Sequence, residues 1–166
     1  MKSRRRFLAA GLAAGVFALN RGAFAHGDAA HAGRKNVPIE KEQQAWGIAG
    51  EAKAVSRTIP IEMTDEMRFT PDHIDARLGE TIRFAHHNRG AVMHEMVIGT
   101  PQALKEHAAL MEQFPEMEHD EPWMAHIGPG GRGEMIWCFN RPGEFQFACL
   151  IPGHFQAGMI GTIRVG

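Results

Sequence analysis

Near its C-terminus the chain reads CLIPGHFQAGM over residues 149–159, setting a thiol, an imidazole and a thioether at every fifth position. β-rich runs flank this segment on both sides, EFQFAC at 144–149 and MIGTIRV at 159–165. If they are neighbouring strands, their backbones lie about 4.8 Å apart, so the connecting loop must fold tightly. Pro152, Gly153 and Gly158 allow that. Cys149 then ends one strand and Met159 begins the next, and all three donors sit at one pole of the fold. His94 starts an earlier run, MHEMVI at 93–98, directly after the turn signal Asn88-Arg89-Gly90, and can bring a second imidazole to the same pole.

Upstream, the pattern is that of strands. AVSRTIPIEM at 54–63 is β-rich, short extended pieces follow at 67–70 and 73–77, and ETIRFAHH at 80–87 alternates with Ile82 and Phe84 on one face. The period then changes. Thr100-Pro101 offers an N-cap followed by a proline at the first helical position, and Leu104, His107, Ala108 and Met111 recur at helical spacing. A helix of about a dozen residues ending near Pro115 is expected, then an irregular excursion over 116–133. Strands resume at 134–139, 144–149 and 159–165. About eight short strands with regular turn signals and one inserted short helix predict an all-β, Greek-key two-sheet sandwich.

Two imidazoles and one thiolate with a weak axial thioether describe a type 1 copper site. Zinc prefers four strong tetrahedral ligands, and a thioether is a poor one for it. Taken singly, Met159 would be a core residue and His154 a surface histidine. Taken in register, His94, Cys149, His154 and Met159 are the expected metal ligands. An exported chain with two cysteines, Cys138 and Cys149, would ordinarily pair them. A disulfide would remove the thiolate from the site, so Cys138 is read as a free thiol facing away from Trp137 and Phe139.

The segment GEFQFACLIPGHFQAGMIGTIRV at 143–165 resembles the C-terminal ligand loop of the plastocyanin/azurin family, the cupredoxins. Its Cys-x4-His-x4-Met spacing is similar to that of auracyanin and rusticyanin. Residues 67–99 resemble the family's first half, including the Asn88 turn and His94. The stretch 94–122 resembles a proteobacterial subgroup of periplasmic cupredoxins linked to copper tolerance. The resemblance implies a cupredoxin sandwich over residues 53–166 carrying one type 1 copper ion. Glu95 departs from the pattern, because azurin and plastocyanin carry at that position an asparagine that helps brace the ligand loop.

The N-terminus carries a different message. Ser3-Arg4-Arg5-Arg6-Phe7-Leu8 places paired arginines before an apolar run of about a dozen residues, too short to span a bilayer, and Ala23-Phe24-Ala25 supplies a small-x-small cleavage pattern. A twin-arginine-type signal peptide over 1–25, with export to a bacterial periplasm, is expected. Its removal leaves 13 basic against 19 acidic side chains, a formal charge of −6 rather than −1. That balance gives no footprint for nucleic acid, and no later apolar run reaches membrane length. Residues 26–52 are polar, Gly/Ala-rich and aperiodic, and are expected to form a flexible N-terminal arm.

Ten histidines and ten methionines leave a surplus beyond the four ligands. Soft thioethers suit Cu(I), and imidazoles suit both copper states. Two auxiliary copper groupings are therefore weighed, His26 with His31 and Met111 with Met117 and His119. Their competing readings are a disordered tail for the first and core packing or solvated loop for the second. His86 shares the face of Ile82 and Phe84 and reads as a near-core histidine.

Two uses of one copper site follow. One is one-electron transfer to a periplasmic cytochrome or copper enzyme. The other is copper handling that confers tolerance, with auxiliary sites and no dedicated redox partner. An enzyme would need a further His-rich catalytic copper site and normally a second such domain, so a non-catalytic monomer is expected.

Overall fold

The structure, a computed structural model, describes residues 41–115 and 119–166. The expected signal peptide, the arm as far as residue 40, and the candidate ligands His26, His31 and Met117 lie outside the described residues. Among the described residues, ten strands form two five-stranded sheets. The first holds, in spatial order, β1 (Ile48–Ala49), β8 (Arg132–Phe139), β5 (Glu80–Asn88), β2 (Arg57–Thr64) and β3 (Arg68–Thr70). The second holds β4 (His73–Ala76), β10 (Ile160–Val165), β9 (Gly143–Ala148), β6 (His94–Gly99) and β7 (Met124–Ile127). Strand β5 runs parallel to β2 and antiparallel to β8, while β10 runs parallel to β4 and antiparallel to β9. Among the described residues no helix is long and apolar enough to cross a membrane.

The eight expected strands are present, and two more join them. Residues 41–52, assigned above to a flexible arm, are docked on the first sheet. Ile48 and Ala49 pair with Cys138 and Trp137, and the Trp137 indole donates to the Trp46 carbonyl at 3.0 Å. Two residues of pairing leave no periodicity to read, which is why this strand escaped the pattern. Strand β7 lies inside the segment taken as irregular and pairs antiparallel with β6 at the sheet edge.

The inserted helix α1 (Pro101–Gln113) starts as expected, with the Thr100 hydroxyl accepting from the Ala103 N–H at 3.1 Å. Its buried residues Leu104, Ala108 and Met111 join Val97, Met124, Ala148 and Leu150 in a small cluster on the outer face of the second sheet. The main core fills the space between the sheets. Trp137, Phe84, Phe139 and Phe147 are fully buried there, with Phe69 edge-on to Phe147 at 5.0 Å. Each such ring contributes about 1.5–3 kcal/mol from the apolar area it removes from water. Cys138 is a free, half-buried thiol on the opposite side of β8 from Trp137 and Phe139.

His86 sits in the main core at 2 % exposure, with Nε2 3.2 Å from the Met96 thioether. Burial holds its pKa down at about 4. An unfolded chain takes up this proton near pH 6.5, whereas the folded chain refuses it until about pH 4. Within that window the unfolded state binds more protons, so stability falls as pH drops from 6.5 to about 4 and this contribution changes no further below. The loss from His86 amounts to about 3 kcal/mol. Urea unfolding of the metal-free protein at pH 6.5 and pH 4 is expected to show a clearly shallower acid loss in His86→Leu than in the wild type. An equal loss in both would contradict it.

Candidate metal centre

Three potential ligand atoms converge at one end of the sandwich. His94, Cys149 and His154 each place one donor so that all lie within 4.8 Å of one another. The two imidazole rings stand 5.0 Å apart at a 50° tilt, and His154 Nδ1 lies 3.2 Å from Cys149 Sγ. His94 and Cys149 are fully buried and His154 is half-buried.

Each candidate donor is positioned by its own backbone. His94 opens β6, where alternation sends His94, Met96 and Ile98 toward the main core and turns Val97 toward the helix. Cys149 directly follows β9. Its N–H donates to the Met159 carbonyl at 3.1 Å, and the Met159 N–H donates to the His154 carbonyl at 3.1 Å. The loop is closed further by His154 N–H on Ile151, and Arg68 donates to the Ala157 carbonyl at 3.2 Å. Gly153 and Gly158 take φ of 89° and 87°, which residues with a Cβ rarely adopt, so they are the hinges of this turn. Met159 is fully buried in the same core cluster as Cys149.

Sequence patterns marked the Asn88 turn but did not reveal how Asp65 and Asn88 support these donors. Asp65, in the turn between β2 and β3, places Oδ1 3.1 Å from His94 Nε2. A carboxylate oxygen only accepts, so Nε2 carries the proton and Nδ1 keeps its lone pair. That Nδ1 is buried and has no hydrogen-bond partner, as a metal ligand would be. Asp65 also accepts from the Ala91 N–H at 2.7 Å, which with His94 holds its carboxyl below the usual range. A Cβ at Gly90 would collide with this carboxylate, so the turn needs glycine there. Asn88 is fully buried and ties the same turn to β7, donating to the Val92 and Ile127 carbonyls at 2.7 and 2.9 Å.

Glu95 takes over loop bracing with a charge. Buried at 2 % exposure, its Oε1 accepts from the Leu150 N–H at 2.8 Å, and Oε2 lies 2.8 Å from His126 Nε2. His126 stands directly opposite Glu95 in the β6–β7 pairing. One carboxylate therefore links the residue after Cys149 to the edge strand.

Burial pushes the Cys149 thiol up to about 12, reinforced by the Glu95 charge and opposed by the backbone N–H groups of Glu95 and Ile151. Burial, with His94 close by, holds His154 below the usual imidazole value. Cys149 and Met159 offer buried sulfur, and His94 and His154 offer imidazole nitrogen, donor types that suit copper.

Of the auxiliary candidates, Met111 packs in the helix-side cluster. His119 meets His107, an α1 residue read above only as part of the helical stripe, at a ring separation of 4.6 Å.

The sequence profile of the copper-binding proteins of the plastocyanin/azurin family matches residues 55–166. Over 143 residues the chain is 43 % identical to the copper-resistant cuproprotein CopI of Rubrivivax gelatinosus, covering 84 % of this chain and 82 % of that protein. It is 31 % identical over 151 residues to the copper-resistant cuproprotein CopI of Pseudomonas aeruginosa, covering 74 % and 83 %. The crystal structure of dithionite-reduced auracyanin from Roseiflexus castenholzii superimposes with a TM-score of 0.58 at 23 % identity, covering 68 % of this chain and 98 % of that one.

Proposed function

Because the chain belongs to the plastocyanin/azurin family of copper-binding proteins, we propose that His94, Cys149, His154 and Met159 hold a type 1 copper ion serving copper tolerance through one-electron chemistry. The observation that carries this reading is the convergence of His94, Cys149 and His154 within 4.8 Å, with the buried His94 Nδ1 lacking any other partner. Likeness to two copper-resistant cuproproteins at 43 % and 31 % identity supports tolerance as the use.

When bound, copper supplies a one-electron couple between Cu(II) and Cu(I). The protein's own part is to hold the donors still. Asp65 fixes the His94 ring, Glu95 pins Leu150, and the Cys149–Met159 backbone bond locks the loop ends. A site that barely moves between oxidation states suits rapid electron exchange. His154, the half-buried ligand, is the outlet toward a partner. Exposed Pro152 and Gly153 and half-buried Phe155 flank it in the chain, a small apolar rim fit for brief docking of a cytochrome or copper enzyme. The paired arginines and cleavage pattern of residues 3–25 support delivery to the periplasm by the twin-arginine route.

Copper sequestration without a redox partner is the second reading, favoured by the meeting of His107 and His119. Adding Cu(II) to the reduced, metal-free protein is expected to produce an intense visible thiolate-to-copper band that saturates at one equivalent. Because the free thiol holds its proton to about pH 12, binding should release that proton. A protein that takes up Cu(II) without the band would overturn the assignment.

A further inference from the structure

The outer face of the second sheet carries a second set of donors. Alternation along β6 sends Glu95 to the side of Val97, the side covered by α1. His126 lies opposite Glu95 on β7, and His107 stands on α1, whose orientation is fixed by buried Leu104, Ala108 and Met111. His119 lies beyond the helix in the chain. The His107 and His119 rings stand 4.6 Å apart at a 40° tilt. The His94–His154 pair, 5.0 Å at 50°, has nearly the same geometry.

We propose that His107 and His119 are the two imidazole ligands of a second copper ion, separate from the centre built on Cys149. Both rings are half-buried, so they are anchored yet reachable. Burial, and secondarily the neighbouring His119, hold the His107 pKa below the usual value, so its ring is a neutral donor at pH 7. Two protonated imidazoles at this distance would repel, whereas one cation between them satisfies both lone pairs. The Glu95 carboxylate acts on His107 in the opposite sense, as the weakest of the three influences. Copper fits better than zinc. Two imidazoles fall short of the four strong ligands zinc prefers, and copper leads the divalent affinity order.

The test is equilibrium dialysis of the full exported chain against buffered Cu(II), in a His26→Gln/His31→Gln background that removes the N-terminal imidazoles from the count. His107→Gln and His119→Gln are each expected to lose one bound copper while the visible thiolate band keeps its intensity. Electron paramagnetic resonance should show a colourless Cu(II) species with two nitrogen couplings that disappears in both variants. Unchanged stoichiometry in both variants would overturn the proposal. So would loss of the thiolate band together with the extra copper, because the histidines would then be acting through the first site. Absence of the band in the parent protein would instead refute the type 1 assignment and leave the count of this second copper readable.

Discussion

Replacing Cys149 with serine is expected to abolish the visible band completely and, if the proposed use is right, to eliminate copper tolerance in cells that depend on this protein. A serine hydroxyl stays protonated where a metal-bound thiol does not, and it is a hard oxygen donor where the site offers soft sulfur. Position 149 is fully buried and receives backbone N–H groups from Glu95 and Ile151. The serine oxygen would use those donors in place of the metal, so the fold should survive while the chemistry is lost. Met159→Leu gives the contrast. It keeps volume in the core cluster and removes only the thioether, which would be the weakest donor to the copper. The band should persist there, shifted in position, with the reduction potential altered. Absorption spectra of both variants, with growth of a copper-sensitive strain expressing each, decide the matter. A Cys149→Ser protein that retains the band would refute the ligand set, and one that restores growth would uncouple tolerance from the type 1 site.

The candidate donors were legible because chemistry and spacing coincide in one short stretch. Cys149, His154 and Met159 are local in sequence, and the strand–turn–strand pattern around them fixes where they point. Helix α1 was legible for the same reason, through Thr100, Pro101 and a helical stripe. What escaped was everything that depends on distant chain segments meeting. Asp65 lies 29 residues from His94 and sits in an ordinary polar turn. His126 became a partner of Glu95 only because β7, a four-residue edge strand, brings it opposite that residue. His107 read as one more member of a helical face, since nothing in its own neighbourhood announces His119. Glu95 is intermediate. Its departure from the family's asparagine marks the position, but only the fold shows that the carboxylate reaches both Leu150 and His126.

That carboxylate is the source of the second large effect. Glu95→Ala is expected to destabilise the metal-free protein by about 3 kcal/mol, because it strips the Leu150 N–H and the partly buried His126 of their shared acceptor. Glu95→Gln should cost much less. Its carbonyl oxygen can still accept from Leu150, and its amide can donate to a neutral His126. The two variants therefore separate shape from charge. In the copper-loaded protein both remove a negative charge beside the ligand loop, and a negative charge favours Cu(II) over Cu(I). The reduction potential should rise in both, by similar amounts, despite their unequal stabilities. His126→Ala supplies the remaining corner of a double-mutant cycle. If the Glu95–His126 contact is the main contribution, His126→Ala combined with Glu95→Ala should cost little more than Glu95→Ala alone. Full additivity would show instead that Glu95 acts chiefly through Leu150. Urea unfolding of the metal-free variants and redox titration of the loaded ones measure the two halves independently. A Glu95→Ala protein with wild-type stability and potential would show that the buried carboxylate braces nothing.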